Sequence, residues 1–151
     1  MAVSEERTRA QVEAAIARLA GEMASPTGRS GPRTLADLLL AVEDEGRVVD
    51  PADLALAVRA GAAALARRRP GRSVEVRVPP YVAVQIGTGI DEGPGAGPSH
   101  KRGTPPAVVE MRPATFLALV TGRIAWAEAL GAHDVTASGA HTDLADAFPL
   151  A

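Results

Sequence analysis

The spacing of apolar residues changes character near residue 70, and this change constrains the fold more than any other feature of the sequence. Before it, apolar side chains recur at three- and four-residue intervals, which is typical of helices packed on one face. Over residues 74–78 valines alternate with charged residues, which indicates a strand with one face in water. Helices before a hairpin, and further helices before another strand, predict an α+β fold rather than a doubly wound parallel sheet.

Start and stop residues predict three helices in the first half of the chain. The strongest start signal is Asp50, because Pro51 fits the first helical turn and Asp53 follows at the third position. Arginines at 67–69 suit the end of that helix, since cations interact favourably with a helix C-terminus. The predicted helices run from Ser4 to Met23, from Thr34 to Gly46 and from Asp50 to Arg69, with Ser4, Thr34 and Asp50 as N-caps.

The second half is predicted to hold the sheet. Pro79 and Pro80 cannot donate hydrogen bonds to a ladder, so the first strand is expected to be bent or to lie at a sheet edge. Residues 87–106, rich in glycine and proline, are expected to be a functional or mobile loop rather than a bare linker. The other predicted elements are strands at 74–78, 81–86, 107–111 and 134–138, helices at 113–122 and 124–130, and a last helical turn capped by Thr142.

Composition excludes several classes of function. The 151 residues contain no cysteine, which excludes disulfides, thiolate metal sites and cysteine nucleophiles. A formal net charge of −2 gives no electrostatic reason to expect nucleic acid or an anionic membrane as a partner. The first residues turn acidic without an apolar signal core, and no apolar stretch approaches the ~20 residues that span a bilayer. We therefore expect a cytoplasmic protein with no nucleic-acid partner and no stable membrane anchor.

One stretch of the sequence is recognisable. Residues 108–123 read VVEMRPATFLALVTGR, and this text resembles the sterol carrier protein family, in which a strand runs into a helix start followed by similar letters. Residues 127–139 look like the turn and strand that come next in that family. Residues 77–85 and 100–106 are similar to its bacterial branch. The resemblance extends from residue 50 to residue 151, with Arg112 in place of the usual capping Asp or Ser.

The resemblance implies both a fold and a function. The family fold is a curved, mainly antiparallel sheet with helices packed on one face, and it leaves an apolar tunnel for sterols, fatty acyl chains or acyl-CoA. By this resemblance, residues 50–151 form a sterol-carrier-like α+β domain, and residues 1–46 form an N-terminal helical extension. The implied function is that of a lipid-binding carrier, non-catalytic and without a cofactor, which encloses an apolar small molecule or lipid between sheet and helices.

Apolar side chains in the second half are the candidates for contact with such a ligand. Each has an alternative place in the hydrophobic core, where side chains of this kind usually lie. Trp126 is the strongest individual candidate, because the one tryptophan of an aromatic-poor chain is amphipathic and suits the mouth of a pocket. The candidates are Val84, Ile86, Phe116, Leu117, Val120, Ile124, Trp126, Leu130 and Phe148.

A polar head group is expected to bind at the glycine-flanked loop of residues 100–104. Cations and backbone amides in such a loop can hold a carboxylate or a phosphate. The alternative is a solvated loop whose charges serve solubility. Gln85 lies opposite the apolar row of its strand, where it orients a ligand if that face is covered and otherwise faces water. The head-group candidates are His100, Lys101, Arg102, Thr104 and Gln85.

Metal and nucleophile chemistry find little support in the sequence. His100, His133 and His141 do not pair with a carboxylate at helical spacing, so no metal site is predicted. Residues 137–140 end a strand and lack the nucleophile elbow of a serine hydrolase. Sterol-carrier-type domains also occur fused to isomerases and acetyltransferases. A first half without histidine argues against the isomerase, and the length of the chain argues against the acetyltransferase.

An interaction protein is the alternative function. The apolar stripes of the N-terminal helices have the form of surfaces that dock on a partner or on a second copy, which allows a homodimer. A helix-turn-helix reader of DNA at residues 34–69 is disfavoured, because acidic residues such as Asp37, Asp50 and Asp53 would then face the phosphates.

Overall fold

The computed structural model describes residues 2–23, 34–88 and 107–150. The helices of these residues are α1 (Ala2–Glu22), α2 (Leu35–Asp44), α3 (Pro51–Arg68), α4 (Pro113–Val120) and α5 (Trp126–Gly131). The strands are β1 (Val74–Val78), β2 (Val82–Ile86), β3 (Ala107–Met111) and β4 (Val135–Ser138), and a 3-10 turn follows at Ala145–Ala147.

The strands of the described residues form one mixed sheet in the order β2-β1-β3-β4. β1 pairs with β2 in an antiparallel ladder and with β3 in a parallel one, and β3 pairs with β4 in an antiparallel ladder. Helices precede the hairpin of β1 and β2, and further helices lie between β3 and β4. The predicted α+β fold with a mainly antiparallel sheet is therefore confirmed.

The helices cover one face of this sheet. On the covered face, the valines of β1 at positions 74, 76 and 78 are fully buried, as are Ile86 of β2 and Val109 of β3. On the other face, Arg77, Gln85 and Glu110 are exposed to solvent. The period-two pattern of the sequence thus separates an aliphatic core face from a polar outer face.

Of the two alternatives predicted for β1, a bend or an edge position, the edge position is wrong. β1 has a strand on each side and ends at Val78, before the two prolines are reached. Pro79 and Pro80 occupy the turn to β2, which the amide of Tyr81 closes by donating to the carbonyl of Val78 at 3.0 Å. Because turn residues need no ladder donor, the prolines cost the sheet nothing there.

The predicted starts of α2 and α3 are confirmed. The Thr34 hydroxyl accepts from the amide of Asp37 at 3.2 Å, and the Asp37 carboxylate accepts from the amide of Thr34 at 3.0 Å. This reciprocal pair is a capping box, which satisfies amides that the helix itself leaves unpaired. At α3 the Asp50 carboxylate accepts from the amide of Ala52 at 2.8 Å.

Two other predicted caps are wrong. α1 begins at Ala2, and Ser4 lies inside the helix. A cap was also predicted at Thr142, but there the Asp143 carboxylate accepts from the amide of Ala145 at 3.0 Å. At the second of these sites the neighbouring Asp143 takes the capping role, so the residue type alone does not fix the position of a cap.

An ion pair joins α1 to α3. The Arg18 guanidinium donates to both carboxylate oxygens of Asp53, at 2.6 and 2.7 Å. Asp53 is only 7% exposed although it is charged. The hydrogen bond and the charge of Asp53 raise the pKa of Arg18 above its ordinary value. Asp53, which the sequence marked as a first-turn residue of α3, therefore also holds α1 in place.

Candidate ligand site at an aromatic cluster

The sequence-predicted ligand residues lie mainly on the covered side of the sheet. The buried ones are Ile86, Phe116, Leu117 and Trp126. The half-buried ones, which pack against the same core, are Val84, Val120, Ile124 and Phe148. The structure therefore brings eight of the nine residues to one apolar core, which shows their packing role, while contact with a ligand stays a prediction.

The aromatic cluster, defined as Phe116, Trp126 and Phe148, lies within this core. The ring of Phe148 is 6.2 Å from that of Phe116 at an interplanar angle of 86°, an edge-to-face contact. It is also 6.2 Å from the ring of Trp126, at an angle of 10°, which is a stacked contact. Phe116 and Trp126 are buried, whereas Phe148 is half-buried. Phe148 therefore closes the cluster on its outer side.

A glycine on α3 allows α4 to approach closely at this point. A Cβ atom added to Gly61 would lie 3.0 Å from Cε1 of Phe116 and 3.6 Å from Cγ2 of Val120. The first distance is shorter than an ordinary van der Waals contact. The absence of a side chain at position 61 thus lets the Phe116 ring lie directly against the backbone of α3.

The strap, defined as residues 144–150, runs across the outside of the cluster. Leu144 and Ala147 anchor it in the core with exposures of 3% and 1%. The amide of Leu150 donates to the carbonyl of Val120 at 3.0 Å. The Arg68 guanidinium donates to the carbonyl of Pro149 at 2.6 Å. The strap is thereby fixed to the ends of both α3 and α4.

Two other predicted site residues that the structure describes, Leu130 and Gln85, lie apart from the cluster. Leu130 is 43% exposed on α5, so it is placed at the surface rather than around an apolar site. Gln85 is exposed on the outer face of the sheet, opposite to the side that Val84 and Ile86 share. His100, Lys101, Arg102 and Thr104, the predicted head-group residues, lie outside the described residues.

An open groove of about 820 Å³ lies elsewhere, between α1 and α3. Its lining mixes apolar residues such as Val12 with carboxylates and with Arg9 and Arg67. The sequence-predicted ligand residues do not contribute to this lining. An apolar chain gains little in a groove edged by charges, because desolvating them costs free energy. We therefore place the candidate site at the aromatic cluster and not in this groove.

The histidines of the described region serve as turn residues. His133 follows α5 with φ of +59°, and His141 follows β4 with φ of +60°. Within residues 2–23, 34–88 and 107–150, no three His, Asp or Glu side chains are grouped so as to hold a metal ion. In the same part of the chain, no helix has both the length and the apolar character needed to cross a bilayer.

Comparison with known families gives this geometry a context. Residues 50–150 match the family described as "Bacterial SCP ortholog", in which SCP denotes sterol carrier protein. The chain belongs to this family. The sterol carrier match begins at Asp50, the N-cap of α3, and ends at Leu150 in the strap. It therefore takes in the described strands and the aromatic cluster. No curated protein matches the chain.

Membership of the sterol carrier family indicates a lipid-binding carrier role in general, and the family is generally non-catalytic. The match starts where the sequence placed the boundary between the segments 1–46 and 50–151, and this division stays a prediction. In the structure, the buried residues of α1 and α2 belong to the same hydrophobic cluster as those of the sheet.

Two features of the candidate site were not predicted from the sequence. Gly61 carried a usable signal, because a glycine inside a helical pattern costs about 1 kcal/mol and usually has a packing or functional reason. Arg68 carried none, since its contact with Pro149 joins residues 81 positions apart. The helix dipole accounts for the arginine run at the end of α3 and says nothing about the strap.

Proposed function

We propose that this protein binds one apolar molecule between its sheet and its helices and carries it through the cytoplasm. The ligand classes are a fatty acyl chain, an acyl-CoA and a sterol-like compound, and we place the ligand at the aromatic cluster. The observation that carries the proposal is the convergence of Phe116, Trp126 and Phe148, which come from separate segments, on one point.

The chemistry of the cluster supports an apolar ligand. Its rings and the neighbouring Val120 and Ile124 offer carbon surface, and burial of such surface contributes about 25 cal/mol per Å². Phe148 is the half-buried member, so it is the side chain that a ligand would have to displace. Aromatic rings stack against flat or extended apolar groups with little loss of conformational entropy.

The proposal also covers the head-group site, the cellular location and the N-terminal residues 1–46. Residues 100–104 stay candidates for the head group, and Gln85 faces solvent outside the covered side of the sheet. A cytoplasmic location fits a chain without cysteine. Residues 1–46 are proposed as an extension that completes the core of the carrier domain, which α2 supports by burying most of its side chains.

The experiment is native mass spectrometry of the protein alone and after mixing with palmitate, palmitoyl-CoA and cholesterol. We expect a complex with one ligand per protein for at least one of the three. The emission of Trp126 serves as a second readout, because it is the one tryptophan of the chain and stacks on Phe148. A protein that stays empty with all three ligands would contradict the proposal and favour the interaction alternative.

Matched variants locate the bound molecule. Val120→Phe adds a ring beside Gly61 and Phe116, and it should reduce the bound fraction by filling the cluster. Ala63→Phe adds a ring in the groove between α1 and α3, and it should leave binding unchanged. The reverse pattern would place the ligand in the groove and would overturn the placement at the cluster.

A further inference from the structure

The strap occupies the aromatic cluster in the way that an amphipathic ligand would. It presents an apolar ring, Phe148, to the rings of Phe116 and Trp126. The next residue, Pro149, presents a carbonyl oxygen to the Arg68 guanidinium at 2.6 Å. An apolar group and an oxygen acceptor are thus held by one continuous segment of chain.

Arg68 lies at the exposed end of a face of α3 that is otherwise packed against the core, so its contact with Pro149 is continuous with the aromatic cluster. Gly61, Leu65 and Arg68 follow each other at intervals of four and three residues, so they lie on one face of α3. At Gly61 this face meets Phe116, and at Leu65 it is fully buried. At Arg68 the same face reaches solvent, where the cation marks the polar end of an apolar stripe.

We propose that a long-chain carboxylate displaces the strap, with its acyl chain taking the place of Phe148 and its carboxylate taking the place of the Pro149 carbonyl on Arg68. This inference rests on the proposed function and names the ligand class for that same site. The head group lies at the exposed end of the α3 stripe, and the acyl chain points toward Gly61 and Phe116.

Electrostatics favours a carboxylate over a neutral head group at Arg68. A guanidinium offers parallel N–H donors in a planar fork that matches both oxygens of a carboxylate. The Pro149 carbonyl is a single neutral acceptor, so exchange for a carboxylate strengthens the contact. A methyl ester or a sterol hydroxyl also offers only neutral acceptors and gains nothing over the carbonyl that it replaces.

The test compares the binding of palmitate and methyl palmitate to the full chain, by native mass spectrometry and by Trp126 emission. The wild type should prefer palmitate by roughly tenfold, as expected for a charge-assisted hydrogen bond in place of a neutral one. Arg68→Gln should bind both ligands equally, and Arg68→Lys should keep part of the preference because it retains the charge.

Arg67→Gln is the matched control. It removes the same charge from the adjacent position, but Arg67 lines the groove between α1 and α3, whereas Arg68 binds the strap. The preference for palmitate should therefore persist in this variant. Loss of the preference in Arg67→Gln as well would mean that it reflects overall charge, and the assignment to Arg68 would be wrong.

Phe148→Ala tests the displacement separately. Without its ring the strap competes less for the cluster, so this variant should bind both palmitate and its methyl ester more tightly than the wild type does. Circular dichroism melting would first establish that the variant is folded. Weaker binding in a folded Phe148→Ala variant would overturn the inference, because it would make Phe148 part of the ligand contact.

The outcomes separate this inference from the proposed function. Binding of neither ligand to the wild type contradicts the proposed function itself. Equal binding of the two ligands, each with a change in Trp126 emission, keeps the apolar site but overturns the role of Arg68. A palmitate preference that survives Arg68→Gln also overturns that role, and would direct the search for the head-group site to residues 100–104.

Discussion

The helices α1 and α2 both precede the part of the chain that matches the sterol carrier family, yet they bury very different shares of their residues in the core. α2 has 10 residues, of which six are buried. α1 has 21 residues, and its buried ones are Ala15 and Leu19. A helix can therefore lie outside a family match and still be part of the hydrophobic core.

The difference follows from the side chains. α2 reads LADLLLAVED, so apolar residues lie on nearly every side, and it packs between α1 and α4. α1 alternates small apolar residues with charged ones and offers only a narrow apolar stripe. It is joined to α3 by the Arg18–Asp53 pair as well as by packing. We infer that α2 determines global stability, whereas α1 opens separately.

The largest effect is expected from Leu38→Ala in α2. Leu38 is 1% exposed, and a Leu to Ala change at such a position costs about 3 kcal/mol in the free energy of unfolding. Urea denaturation measures this loss. Leu130→Ala, at a residue that is 43% exposed, is the control and should cost less than about 1 kcal/mol. Equal losses in the two variants would show that α2 is no more important to the free energy of unfolding than an exposed position.

A smaller effect is expected from Leu19→Ala in α1. Leu19 is 5% exposed, but it lies on a helix with few other buried side chains, so we expect a loss of about 2 kcal/mol in the free energy of unfolding. Hydrogen exchange should show faster exchange of the amides of α1 while those of α3 keep their protection. If α1 and α3 exchange together, the two helices form one cooperative unit and α1 does not open separately.

A smaller effect again is expected from Arg18→Gln, because the Arg18 side chain is 47% exposed and solvent screens its pair with Asp53. The change leaves the buried Asp53 carboxylate without the guanidinium that holds it, and so weakens the attachment of α1 to α3. The expected result is a lower denaturation midpoint and faster exchange in α1. Arg7→Gln, at an exposed position of the same helix, is the control. Identical midpoints for the two variants would show that the ion pair contributes nothing.

The smallest effect concerns the exposed pair of Asp44 on α2 and Arg123 after α4. The guanidinium donates to Asp44 at 2.5 and 3.0 Å, and it lowers the pKa of that carboxyl below its ordinary value of 3.8. Because the folded pKa is the lower one, this stabilisation is present above the ordinary value and is lost as the pH falls through the folded value.

Titration of Asp44 by NMR tests this pair. In Arg123→Gln the pKa of Asp44 should rise toward 3.8, and the difference in stability between variant and wild type should vanish at low pH. Glu45 of the same helix end, whose partner is Arg47, offers an internal reference for general effects of the lost charge. If the pKa of Asp44 is the same in Arg123→Gln and in the wild type, Arg123 is not the cause of its lowered value.

Local signals in the sequence predicted most of the fold. Capping residues such as Thr34 and Asp50 act within three residues of themselves, so their role is visible without tertiary information. The alternation in β1 likewise separates buried from exposed side chains before any partner strand is known. The edge position of β1 was predicted wrongly because the prolines were assigned to the strand, whereas they belong to the turn.

The candidate site was predictable only in part. Phe116, Trp126 and Phe148 were candidates because of their residue type, and their mutual contacts follow from tertiary packing. The bond from Arg68 to Pro149 and the pair of Arg18 and Asp53 join distant positions, for which the sequence carries no periodic signal. Long-range polar contacts of this kind depend on the assembled fold rather than on local preference.

The parallel pairing of β1 with β3 has a consequence for synthesis of the chain. The hairpin of β1 and β2 forms from neighbouring residues. The other side of β1 can pair only after residues 107–111, which form β3, have left the ribosome. Until then a strand made of alternating valines has unpaired backbone groups, which is the kind of edge on which chains aggregate. In the completed fold β3 covers this edge of β1. Expression at lower temperature, or with slower translation near β3, should therefore change the yield of folded protein more than its free energy of unfolding.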